Sequence, residues 1–144
     1  MSRKVLIGCA VLVGLAVVIF VLLQLIPGYP LSNPAVVAEP SWDSPQTREL
    51  AKRACFDCHS NESVWPWYAH VAPVKWLVVN DAVEGRKAFN FSDWHVGDMS
   101  GQEAAEQIEE GEMPLPQYLL MHPEARLTSE EKQQLINGLQ ATMK

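Results

Sequence analysis

The sequence predicts an all-α domain carried behind one N-terminal apolar helix, and three observations predict it. Val5 to Ile26 is apolar apart from Gln24 as its one strongly polar residue, long enough to cross a bilayer at about 1.5 Å per residue. Helix caps recur ahead of segments with helical apolar spacing, at Ser44-Pro45, Ser100-Gly101-Gln102-Glu103 and Thr128-Ser129-Glu130-Glu131. Between the first two lies Cys55-Phe56-Asp57-Cys58-His59, a pattern that itself favours a helical turn.

The N-terminal run reads as a retained span, residues 5–26, in contact with the lipid bilayer. A cleaved signal has a shorter apolar core and an early small-x-small site, whereas Pro27-Gly28-Tyr29-Pro30 follows here and the weak candidate at Val36-Val37-Ala38 lies far downstream. Leu6-Ile7-Gly8-Cys9 resembles a lipidation box, but only three apolar residues precede Cys9 in it, too few for a signal core. Arg3 and Lys4 place the N-terminus in the cytoplasm. The expected organisation is an anchor at 1–26, a proline-rich tether at 27–44 and a folded domain at 45–144. Tyr29 and Trp42 are expected either at the lipid interface or on that domain.

Cys55, Cys58 and His59 are the pattern of covalent c-type haem attachment. Two thiols spaced by a helical turn reach the two vinyl groups on one porphyrin edge, and the following histidine falls beside the iron as proximal ligand. A zinc site would need two further ligands at similar spacing, and the only other cysteine is Cys9. A thioredoxin-like pair would follow a strand, and the flanks here are helical. One covalent haem in an exported domain agrees with the topology. With about a hundred residues beyond the tether, loss of that group should leave the remainder close to unfolded.

Each helix follows from local signals. The first should run from about Pro45 to Cys55, with Leu50, Ala51 and Ala54 inward and Arg48, Glu49, Lys52 and Arg53 outward. Val64-Trp65-Pro66-Trp67-Tyr68 should be a broken turn whose aromatics wall the haem. Val74 to Lys87 should be a helix with Trp76, Leu77, Val79 and Val83 inward and Asn80, Asp81, Glu84, Arg86 and Lys87 outward. A short acidic helix opens at Ser100 and ends near Gly111, and a closing helix after Thr128 sets Leu135, Ile136, Leu139 and Met143 on one stripe. Two glycosylation sequons, at Asn61 and Asn90, read as chance.

In the loop Gly111-Glu112-Met113-Pro114-Leu115-Pro116, Met113 is the expected distal iron ligand, and Met/His ligation raises the potential. Its rivals are Met99, Met121, His70, His95 and above all His122. Arg86 and Tyr118 are candidate propionate contacts. Beyond Ile26, nine Lys/Arg stand against seventeen Asp/Glu, a net −8, which disfavours nucleic acid and anionic lipid surfaces.

The domain resembles the class I c-type cytochromes, in which the haem motif closes an N-terminal helix and a Met-Pro loop precedes the last one. More specifically, Cys55 to Tyr68, Ala72 to Val78, Glu84-Gly85-Arg86, Phe89 to Trp94, Glu112-Met113-Pro114, Tyr118, His122-Pro123 and Ala125 to Thr128 resemble the bacterial haem-binding domain family of small membrane-anchored c-type proteins. The resemblance covers Trp42 to the C-terminus and strengthens haem, fold and location without supplying a substrate. The expected function is a single-pass monohaem cytochrome of the bacterial inner membrane, with the haem domain periplasmic. It would pass electrons to redox partner proteins, free-standing or as a subunit of a respiratory or photosynthetic complex. The alternative is a haem-based sensor or peroxidase-like protein with an exchangeable sixth ligand.

Overall fold

Among residues 2–28, 30–95 and 97–143, which the computed structural model describes, every regular element is a helix or a 3₁₀ turn and no strand occurs. The chain divides into two compact units, one made of Met1–Leu31 with Trp65–Asn80 and the other of Ser32–Val64 with Asp81–Lys144.

The first unit is built on α1 (Arg3–Gln24). Its most apolar window has a mean hydropathy of 3.2 and is wholly exposed, so this helix is long and apolar enough to cross a membrane. Its end is tied to the segment after the 3₁₀ turn Trp67–His70. The Gln24 amide accepts from the Ala72 N–H at 2.9 Å and donates to the Ala72 carbonyl at 3.2 Å. Lys75 Nζ donates to the Ile26 carbonyl at 2.9 Å, satisfying a carbonyl just past the helix end. The broken turn expected around Pro66 is this 3₁₀ turn.

The second unit holds α2 (Pro45–Ala54), α3 (Phe56–His59), α5 (Gly101–Glu109), α6 (Pro116–Met121) and α7 (Ser129–Thr142). It also takes the C-terminal half of α4 (Val74–Ala88), since the unit boundary falls between Asn80 and Asp81. The expected caps form. Ser44 Oγ accepts from Thr47 N, and both Ser100 and Thr128 make full capping boxes with Glu103 and Glu131. Leu50, Ala51 and Ala54 on α2 and Leu135, Ile136, Leu139 and Met143 near the C-terminus are buried, as their spacing predicts. α7 packs against both α5 and α2. A Cβ on Gly138 would run into the Thr47 side chain, and one on Gly101 into the backbone of Leu139 and Gln140, so these helices meet closely only because glycine stands at each crossing.

Two expectations change. The expected tether at 27–44 is free of helix over residues 30–44, but from Ser32 onward it does not stand off from the domain. Val37 N and Ala38 N donate to the Ser92 carbonyl, Trp94 N donates to the Ala38 carbonyl, and Asn61 Nδ2 donates to the Ala35 carbonyl. Prolines remove some donors from this stretch, and those of Val37 and Ala38 close on the domain. Trp42 belongs to the core side, with its ring 4.9 Å from that of Phe91; Tyr29 lies outside the described residues. The second change is in α4. Val79 and Ala82 are buried while Leu77 is exposed, so its buried face is rotated from the one read in the sequence. The short α6 and the 3₁₀ turn Pro123–Ala125 were not anticipated.

Candidate functional site

Cys55 ends α2 and opens α3, its own N–H bonded to the Ala51 carbonyl at 2.7 Å. Cys58 N and His59 N both donate back to the Cys55 carbonyl, at 3.2 and 2.9 Å. One turn of helix therefore presents both thiols and the imidazole. The turn is held from below by short polar links. Ser60 Oγ donates to the Phe56 carbonyl at 2.8 Å and accepts from Glu62 N at 2.9 Å, and Phe91 N donates to the His59 carbonyl at 2.8 Å. The aromatic platform beneath is Phe56 on Phe91, with centroids 5.4 Å apart.

His59 is buried, stacked on Phe89 at 4.1 Å and 13°, with Nδ1 3.4 Å from the Phe89 carbonyl. Burial holds its pKa below the usual imidazole value, so the ring is neutral near pH 7, and the Nδ1 contact leaves Nε2 with its lone pair. The two thiols are free. Burial pushes each up to about 12, so both remain protonated and weakly nucleophilic at neutral pH. A Cβ at Gly85 would lie 2.6 Å from the Cys58 carbonyl oxygen; α4 can approach the motif only through this glycine.

Cys55, Cys58 and His59 line a cavity of about 440 Å³ whose lining residues all belong to the second unit. Its walls are apolar, from Ala104 and Ile108 on α5, Leu135 and Leu139 on α7, and Phe89. Met99, Met113, Pro114, Leu115, Tyr118 and Leu119 complete the lining, and Asp81, Glu84, Arg126 and Lys132 add charge. Burial raises the Asp81 carboxyl above its usual value. Tyr118 donates its hydroxyl to Asp57 Oδ2 at 2.7 Å, across 61 residues of sequence, and burial together with Asp57 raises its pKa.

Several expectations are sorted by this geometry. Met113 and Met99 line the cavity; Met121 is exposed and is not among the lining residues. The His122 ring stacks on Tyr118 at 4.0 Å, with Nδ1 3.0 Å from Glu124 Oε1, outside the lining. His70 and His95 are exposed. Trp65, Trp67 and Tyr68 belong to the first unit and are not among the lining residues; the aromatic wall is Phe89. Tyr118 does line it. Arg86 does not: its guanidinium donates to the Ser60 carbonyl at 2.7 Å, Ser63 Oγ at 2.8 Å, the Ser32 carbonyl at 3.0 Å and Asn33 Oδ1 at 3.2 Å. Asp81, Glu84 and Gly85 were missed as cavity residues, although their spacing along α4 puts them on one helical face.

The residues present fit a haem. Two thiols and a neutral imidazole share one turn, the walls are apolar, and the volume lies within the range of small-molecule sites. Arg126 and Lys132 supply cations for carboxylate groups. Among the described residues no three His, Cys, Asp or Glu side chains converge on a metal-ion site. Residues 18–141 match the haem-binding domain family, the match beginning within α1. No curated protein and no solved structure matches the chain. With all but its ends matched, and with an apolar cavity opening on Cys55, Cys58 and His59, the chain belongs to the haem-binding domain family.

Proposed function

We propose that this is a membrane-anchored c-type cytochrome of class I type, carrying one covalent haem in a periplasmic domain and passing single electrons to partner proteins at the membrane. The observation that carries the reading is the placement of both thiols and the His59 imidazole on one turn at the edge of an apolar cavity. Bound haem would supply a one-electron ferrous/ferric couple. Cys55 and Cys58 would hold it as thioethers, and His59, neutral and braced at Nδ1, would present Nε2 to the metal. Met113 is the preferred opposite ligand, with Met99 the rival that also lines the cavity. Lys132 and Arg126 are placed better than Arg86 for the propionates. The apolar walls keep water from the couple, and a carrier needs no acid, base or nucleophile of its own. The packing of α2 on α7 supports the class I reading, and α1 supports a single-pass anchor.

A sensor or peroxidase-like protein with an exchangeable sixth position is the second reading, and the half-buried Met113, Pro114 and Leu115 in the loop ahead of α6 favour it. Reduced-minus-oxidised spectra of detergent extracts, with and without carbon monoxide, separate the two. The carrier predicts low-spin bands unmoved by carbon monoxide, and a haem that stays with the chain on denaturing gels. Met113→Ala should then give a carbon-monoxide-sensitive spectrum and a lower potential. A rapid shift in the unmutated protein would overturn the carrier, and haem lost on the gel would overturn covalent attachment.

A further inference from the structure

α1 spans 22 residues, about 33 Å of helix at 1.5 Å per residue, close to the ~30 Å hydrocarbon thickness of a bilayer. If α1 is the span, Gln24 marks its boundary with the interface. Gln24 does not end in solvent alone: its amide pairs in both directions with the backbone of Ala72. Lys75 reaches the Ile26 carbonyl, and the Trp76 indole lies against Gly28, where an added Cβ would sit 3.2 Å from Cδ1. Three separate links therefore hold residues 72–76 level with the end of the helix.

The outward side chains of this segment are not those of a water-facing loop. Trp67 is 72% exposed, Leu77 49% and Val74 42%, so three large apolar groups are presented within eleven residues. From Trp65 to Asn80 there is no Asp or Glu, in a chain that has seventeen. Lys75 is the only Lys or Arg there, and it lies over the Trp76 ring at 5.6 Å. Exposed tryptophan, aliphatic side chains and a lysine, without acid, are the composition that settles at the boundary of headgroups and acyl chains.

We infer that residues 67–77 form a second, interfacial contact with the lipid bilayer, laid into the headgroup boundary beside the end of α1. The inference rests on α1 being the span. Its occupant is lipid rather than a protein partner because the patch is continuous, through Gln24, Lys75 and Gly28, with a helix whose apolar residues from Val5 to Leu22 are all exposed.

The test uses the full chain in native membranes with the photoreactive residue benzoylphenylalanine placed singly at four positions, followed by mass analysis of the labelled peptides. Trp67→benzoylphenylalanine and Leu77→benzoylphenylalanine should yield phospholipid adducts, as should Val17→benzoylphenylalanine in the span. Glu109→benzoylphenylalanine, on the exposed acidic face of α5, should yield severalfold less. Adducts at position 17 alone would overturn the interfacial contact while leaving the span intact. Adducts at none of the four would overturn the span and the contact together, and equal labelling at 67 and 109 would overturn the contact as a property of this segment.

Discussion

Two parts of the cavity lining are built differently. Around Cys55, Cys58 and His59, short hydrogen bonds brace the turn and Phe56, His59, Ser60 and Asn61 are buried. On the other side of this contrast, Met113, Pro114, Leu115, Tyr118 and Leu119 are only half buried, and Leu120 and Met121 beside them are exposed. That wall is held by Met113 N and Glu112 N on the Gln107 carbonyl, by Arg126 on the Leu119 carbonyl, and by Tyr118 on Asp57. The difference teaches where variation can be tolerated: the turn bearing Cys55, Cys58 and His59 is braced at many points, while the wall around Met113 depends on a few bonds. On the proposed reading, the first would hold the haem while the second is tuned.

Removing the hub of the rigid side should have the largest effect. Arg86 joins Ser60 and Ser63, just past the motif, to Ser32 and Asn33, and burial lowers its pKa without removing its charge. Arg86→Met strands the Ser60 carbonyl in a buried site. A charged hydrogen bond lost there should cost about 2–3 kcal/mol, read as a lower urea midpoint at unchanged m-value. Because the contacts are all within the chain, the loss should come with an unchanged potential. If Arg86 instead served a propionate, it would be accompanied by a shifted potential.

The soft side offers the next test. Tyr118→Phe removes the side-chain bond joining α6 to Asp57, between the two cysteines. A tyrosine hydroxyl on a part-buried carboxylate contributes about 1–2 kcal/mol. That loss should fall on local opening rather than on the whole fold. Amides of residues 117–121 should exchange faster while those of α2 and α7 are unchanged. Equal loss of protection throughout would show that the two sides form one cooperative unit and erase the contrast drawn here.

Legibility in the sequence follows the same division. α2, α5 and α7 were readable because caps and apolar spacing are local properties, and Leu50, Leu135 and Leu139 lie where the period puts them. The motif turn was readable because its chemistry fixes residue order. What was not readable depends on partners distant in sequence. Arg86 takes acceptors 54 residues away as readily as it would a propionate, and no local signal separates the two. Asp81 and Glu84 looked like the solvated face of α4 because a carboxylate beside a cavity has the same sequence pattern as one in water. Residues 32–44 looked like a tether because prolines describe backbone stiffness and say nothing of the Ser92 carbonyl on which Val37 and Ala38 close.

The smallest effect tests whether that extended segment contributes to the rigid side at all. Glu39 receives both Arg48 Nε and Nη2 at 2.7 Å and Trp42 Nε1 at 2.8 Å, so it joins the segment to α2 immediately ahead of the motif. Hydrogen bonding to Arg48, more than any other cause, holds its carboxyl below the usual value. A carboxyl whose pKa is lower folded than unfolded contributes stability that is full above the unfolded value and is lost as pH falls through the folded one. Because the pair is partly solvent-exposed, the contribution should be under about 1 kcal/mol. Urea midpoints measured from pH 7 downward should therefore favour the unmutated protein over Glu39→Gln by a small margin at pH 7. That margin should shrink below the ordinary carboxylate pKa of about 4.3 and vanish once Glu39 is protonated in both states. A constant margin across the range would mean that Glu39 acts through packing of Trp42 rather than through its charge, and that the segment is held by the backbone bonds to Ser92 instead.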